Sequence, residues 1–364
     1  MRNKNVESLR AIAILLLLFY HFTVSLSVFK TNFSVMVNEA FCQFAMVTFF
    51  MISGYGTFLH YQRREANGET IRILDYIKRR FLKIAPAYYF SLLFLVLFTS
   101  SGVFLSRGGM KSILVYGLLL QNLFPAMSGD INGVTWTIAL FMQFYLVSYP
   151  MYKVVKAFGG KSYPIFLVFS FLINKMLCGM VTVNGDPDVY YVIASIRQIF
   201  TTMDIFALGM ICGSLMEKQI FTKVKKRMSV IAAIVIFIVS IWLFVEGSFI
   251  VGGLWGDGFK YYLWKPLLSI VLGCIILLMV PCEFQYQNWL GKGLQFVARN
   301  EYNTYLWHMV LFSNLINTSA LFNEFAQKLP FATAMGMIVL AIMVGTISTN
   351  LTSNMSKIVE VDKI

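Results

Sequence analysis

An all-α integral membrane protein, with about ten transmembrane helices and one short re-entrant or interfacial helix near 112–124, is the fold class this sequence predicts. Three observations predict it. Of 364 residues, 58% are hydrophobic and 13% charged, and a mean hydropathy of +0.70 leaves too little polar surface to solvate a globule. The apolar residues gather into runs of about 20, the length a helix needs to cross a hydrocarbon core roughly 30 Å thick. The 30 Lys and Arg residues, against 17 Asp and Glu, concentrate in alternate linkers. A formal charge of +13 would point to nucleic acid in a soluble chain; here the positive-inside rule accounts for it, and no nucleic-acid partner is expected.

The expected spans are 8–29, 37–61, 81–104, 134–154, 163–183, 190–216, 228–247, 259–281, 300–322 and 330–352. In the first, RAIAILLLLFYH, Arg10 and His21 bracket ten apolar residues. Eleven helical steps of about 100° bring both side chains to one face, roughly 16 Å apart. A charge and an imidazole aligned inside a membrane are costly, which marks them as candidate functional groups. No small-residue cleavage site follows this run, so it is read as a span and not as a removable signal. The second span carries TFFMISGYG, in which Ser53, Gly54 and Gly56 form a small face suited to close helix packing or to a substrate groove. His60 ends it beside Tyr61, Gln62 and Arg63, an interfacial setting.

Lys78, Arg79, Arg80 and Lys83 open the third span in KRRFLKIAP. Positive-inside anchoring explains them, and the same cluster suits the phosphates of a nucleotide-like donor. The run 112–124, SILVYGLLLQNLF, is too short to cross and stops at Pro125. The fourth span begins with Thr135, Trp136 and Thr137 at the outer interface, and Gln143 lies seven residues deeper on the face of Trp136. In the sixth, Arg197 and Asp204 are seven apart, hence on one face, as a self-neutralising pair or part of a substrate path. His308, in YLWH of the ninth, is either a packing donor or a second active-site group. Cys42, Cys178, Cys212, Cys274 and Cys282 show no CxxC pair or metal-ligand spacing and read as small core residues, so neither a disulfide nor a metal site is expected.

The linkers with Arg63 to Arg80, Lys153 to Lys161 and Lys218 to Arg227 fall on one side, whereas 184–189 and 246–258 carry acids and no base. Both termini are therefore expected in the cytoplasm, in a multi-pass cell-membrane protein without a soluble domain.

Taken together, these segments resemble the acyltransferase-three family of integral membrane O-acyltransferases. The resemblance spans most of the chain. It rests on Arg10 and His21 with ten residues between them, Phe49-FMISGY, Arg79-RFLKIAP, Trp136-TI with Phe144-YLVSYP, Phe206-ALG and Tyr305-LWH, in that order. Two positions depart from the family pattern. Phe141 stands where many members carry a glutamate, so no catalytic acid is assigned to the fourth span, and Lys83 stands where arginine is usual, which keeps the charge but loses the bidentate fork. Larger members add an extracytoplasmic hydrolase-like domain; residues 1–364 are read as a single transmembrane domain without it.

The resemblance implies transfer of an acyl group, usually acetyl, from cytoplasmic acyl-CoA to a hydroxyl of a cell-envelope glycan or lipid-linked saccharide, with no permanently bound cofactor. His21 is then the general base, since a neutral imidazole can take the hydroxyl proton. Arg10 lies too far from it to serve the same oxyanion and is assigned to the donor, with Arg79, Arg80 and Lys83. Ser53, Trp136, Gln143, Arg197, Asp204 and His308 are acceptor or supporting candidates. Two other classes compete. A transporter or flippase would run its path past Arg197, Asp204, Lys265 and His21, yet the sequence shows no inverted repeat; a non-catalytic sensor would keep the scaffold alone. Nothing local to His21 indicates which group orients it.

Overall fold

The structure, a computed structural model, describes residues 3–98, 108–124, 127–184, 197–217, 226–250, 258–281 and 288–361. Among them are twelve α-helices and no strand: α1 Lys4–Ser25, α2 Asn32–Ala66, α3 Ile73–Phe98, α4 Gly109–Gly117, α5 Trp136–Phe158, α6 Tyr163–Asn184, α7 Ile199–Glu217, α8 Lys226–Ile250, α9 Gly258–Met279, α10 Trp289–Thr318, α11 Ala320–Lys328 and α12 Pro330–Val361. Each expected span has a helix. Six helical runs among the described residues are long and apolar enough to cross a membrane, one of which, Gly133–Leu177, contains both α5 and most of α6. This is a membrane protein. α10 is not among the six, because it carries buried Asn300, Glu301, Asn303, Thr304 and His308. On α12, Val339, Met343, Ile347 and Leu351 stand exposed at four-residue intervals, the stripe expected of a lipid-facing helix.

Capping sets the boundaries that hydropathy misses. α1 starts four residues before its apolar run because the Asn3 side chain accepts hydrogen bonds from the backbone N–H groups of Asn5 (2.9 Å) and Val6 (3.3 Å). The segment near 112–124 holds α4, nine residues or about 13 Å long, too short for a span. Two tyrosines of α3 fasten its end: Tyr88 Oη donates to the Tyr116 carbonyl (2.9 Å) and Tyr89 Oη to that of Gly117 (2.7 Å).

The sixth expected span requires correction. Its helix, α7, begins at Ile199, and Arg197 and Gln198 precede it. Arg197 and Asp204 therefore do not share a helical face. The polar side chain of Gln198 bonds the Asn122 carbonyl (2.7 Å) instead of continuing the helix. Residues 185–196, with the acidic linker and the start of the sixth expected span, and residues 218–225, 251–257 and 282–287, with Cys282, lie outside the described residues; the side chains of Cys178 and Lys265 are likewise not described. Cys212 is buried as expected, Cys42 half-buried, and Cys274 exposed on α9, contrary to a core role; all three are free thiols.

Two packed groups flank the middle of the molecule. One gathers α2, α5 and α7 around Phe50, Phe144, Phe206 and Met210, with the Phe144 and Phe206 rings nearly parallel (9°) at 4.6 Å. The other gathers α1, α10 and α12 around Ile14, Leu18, Phe312, Met337 and Ala341. α2 and α7 touch backbone to backbone: a Cβ at Gly54 would run into the Phe206 carbonyl, and one at Gly209 into that of Met51. Gly54 is thus a packing residue.

Candidate active site

A cavity of about 1230 Å³ opens between these groups, lined by α1, α2, α3, α5, α10, the segment before α5 and Arg197 just before α7. It follows α1 from Asn3 to His21, a path of about 27 Å at 1.5 Å per residue. Arg10 and His21 both face it, as the helical spacing predicts.

At the far end His21 meets His308. The two rings are nearly parallel (8°), and His21 Nδ1 lies 2.7 Å from His308 Nε2. His308 Nδ1 is 2.6 Å from the Tyr305 carbonyl oxygen. A carbonyl can only accept, so this contact places the His308 proton on Nδ1 and leaves Nε2 as an acceptor. His21 must then donate from Nδ1, which leaves its own Nε2 unprotonated. His21 lines the cavity and His308 does not. The pair therefore presents one bare imidazole nitrogen, oriented from behind by a second histidine that is itself fully buried. The sequence left the partner of His21 open; it comes from α10, 287 residues away.

The near end is cationic. Arg10, Arg63, Arg80 and Lys83 line it, against Glu7 and Glu301. Arg10 forms an ion pair with Glu301 of α10, a residue that sequence reasoning missed. The Arg80 guanidinium donates to Tyr76 Oη (3.0 Å) and stacks over the Tyr76 and Tyr145 rings, 5.0 and 5.2 Å from their centroids. His60, expected only at the interface, lines the cavity too, its ring 4.9 Å from that of Tyr76. Arg79 is exposed and does not line it. Neighbouring residues on a helix point about 100° apart, so an Arg-Arg pair can aim only one member inward.

The remaining candidates divide. Ser53 lines the cavity and shares a hydrogen bond with Tyr145 Oη (3.1 Å), and Gly56 beside it is open; the small face of α2 thus serves packing at Gly54 and the cavity at its neighbours. Trp136 lines the wall with the Arg197 guanidinium 5.3 Å from its ring centroid. Gln143 turns away and exchanges two hydrogen bonds with Asn122 (2.8 and 2.9 Å). Asp204 is buried in α7, its backbone N–H bonded to Ser170 Oγ (3.3 Å), and is not part of the wall. Phe141 packs edge-on to Phe50, centroids 5.1 Å apart, where a carboxylate would have reached the cavity.

One comparison identifies the scaffold. The model of the family described as "Acyltransferase domain" matches residues 3–349. No curated protein and no solved structure matches the chain.

Proposed function

The chain belongs to the acyltransferase-three family, and from that membership we propose that this membrane acyltransferase moves an acetyl group from cytoplasmic acyl-CoA to a hydroxyl of a cell-envelope glycan or lipid-linked saccharide. The observation that carries the reading is the histidine pair: His21 faces a cavity whose opposite end is cationic, and His308 holds it in the tautomer with Nε2 free.

In this reading the donor enters at the cationic end. Arg80 and Lys83, with Arg10 and Arg63, meet its phosphates, and the pantetheine arm follows α1 toward His21. The acceptor hydroxyl gives its proton to His21 Nε2 as its oxygen attacks the thioester carbonyl. The resulting imidazolium is stabilised through Nδ1–H to His308 Nε2. Collapse of the tetrahedral adduct breaks the carbon–sulfur bond, and the CoA thiolate takes the proton back. A base in this role contributes about 10²- to 10⁴-fold. The ten expected spans and cytoplasmic termini suit the scheme, since the basic cluster then opens to the side where acyl-CoA is made.

The test is purified protein in lipid nanodiscs given acetyl-CoA, with CoA release followed and envelope glycans compared by mass spectrometry with and without the protein. CoA release and glycan acetylation that vanish together in His21→Ala support the reading; unchanged turnover in that variant refutes it.

A further inference from the structure

We propose that the acceptor carries an anionic group, a carboxylate or phosphate on a polyhydroxylated molecule, and that Arg197 binds it. The proposal rests on the reading above that the acceptor hydroxyl is offered to His21. Arg197 lines the cavity with its guanidinium over Trp136 and one Nη 3.5 Å from Ser128 Oγ. Among the described residues no carboxylate is in ion-pair contact with it, and Asp130, two residues past Ser128, is held by the Ser112 hydroxyl. Half-buried against the Trp136 ring on the cavity wall, a cation here is costly unless a counter-charge arrives.

The placement is built and not incidental. Asn122 Nδ2 donates to the Arg197 carbonyl (3.0 Å), Gln198 Nε2 donates to the Asn122 carbonyl (2.7 Å), and Gln143 locks the Asn122 amide through the reciprocal pair. The backbone that carries Arg197 is thus clamped on both sides. The N-terminus of α7, nineteen residues long, begins two positions later and adds positive potential. A short path of contacts leads from this cation to the base: Arg197 to Trp136, then Thr137 Oγ1 to Tyr305 Oη (2.8 Å), Tyr305 to His308 and His308 to His21. Thr137 and Tyr305 line the same wall; Tyr305 Oη donates to the Val134 carbonyl and accepts from Thr137 Oγ1, which leaves the Thr137 oxygen lone pairs to accept from a polyol. The cations of the donor end lie along other helices, α1, α2 and α3, so the cavity holds two separate anion sites.

Ligand-observed NMR on the full chain in nanodiscs, without donor, tests this. The probes are methyl β-D-glucuronide and glucose 6-phosphate, with methyl β-D-glucoside as the neutral control. At least one anionic sugar is expected to bind about tenfold or more tightly than the control, the range of a charged hydrogen bond. Arg197→Gln should erase that preference while leaving control binding in place, and Arg197→Lys, which keeps the charge, should retain part of it. The graded result separates recognition from a folding defect. Equal affinity for all three sugars, or a preference unchanged in Arg197→Gln, overturns the proposal. The enzymatic reading is scored separately by the His21→Ala assay above: an Arg197-dependent preference together with CoA release unchanged in His21→Ala refutes that reading and leaves the anion site standing.

Discussion

Two of the contacts between α1 and α10 differ in kind. Near one end Arg10 pairs with Glu301; near the other His21 bonds His308. The first is ionic and fixed, because a guanidinium holds its protons at any pH the protein meets. The second is neutral, and an imidazole, unlike a guanidinium, can take up and give back a proton within a reaction. One helix pair therefore carries an ionic anchor and an imidazole pair along one cavity, with His21 on its wall and His308 behind it. The contrast also refines the role of Arg10, which faces the donor path but is already engaged by a carboxylate.

The sharpest way to break the comparison is to remove the reactive couple. His21→Ala should lower kcat by about 10²- to 10⁴-fold with donor KM little changed, read from acetyl-CoA consumption by the purified protein. His308→Ala should cost less than that full general-base contribution of about 10²-fold or more, because it removes orientation and tautomer control but leaves the base. If the His308 variant matches wild type in kcat, the tautomer argument is wrong. The anchor should answer in stability as well as in donor KM. Arg10→Ala leaves the buried Glu301 carboxylate without its cation, and a loss of about 1–3 kcal/mol is expected, measured as a lowered Tm in detergent. A variant whose only change is in kcat would erase the distinction. The smallest effects belong to the donor mouth: Arg80→Ala and Lys83→Ala should each raise donor KM by about tenfold, while Arg79→Ala should leave it unchanged. Equal effects at Arg79 and Arg80 would mean that the donor does not enter beside α3.

How much of this the sequence displayed follows from the range of each interaction. Arg10 and His21 were legible because both lie on one helix, where spacing alone fixes the shared face. Their partners, Glu301 and His308, lie 291 and 287 positions downstream, and no local pattern announces contacts of that separation. Arg197 was misplaced because hydropathy marks where a chain is apolar, not where a helix begins; the start at Ile199 is set by amide hydrogen bonds from Asn122 and Gln198. Gln143 was found as an unusual polar residue in a span, yet its role is to hold Asn122, which no periodicity reveals. The Ser53 to Gly56 face was read correctly as small, and only the crossing of α2 and α7 shows that Gly54 and Gly56 serve opposite purposes.

The chain of ring nitrogens behind His21 ends on a backbone carbonyl, that of Tyr305. A proton can hop from His21 to His308, but an amide oxygen is far too weak a base to pass it on. The pair is a cul-de-sac for protons. Whatever His21 takes up in the cavity has to leave by the same nitrogen, so each turnover returns its proton to the chamber from which it came. On the proposed mechanism, acyl transfer is accordingly expected to proceed at one rate whether or not a pH gradient or membrane potential stands across the bilayer, as matched energised and de-energised proteoliposomes would report.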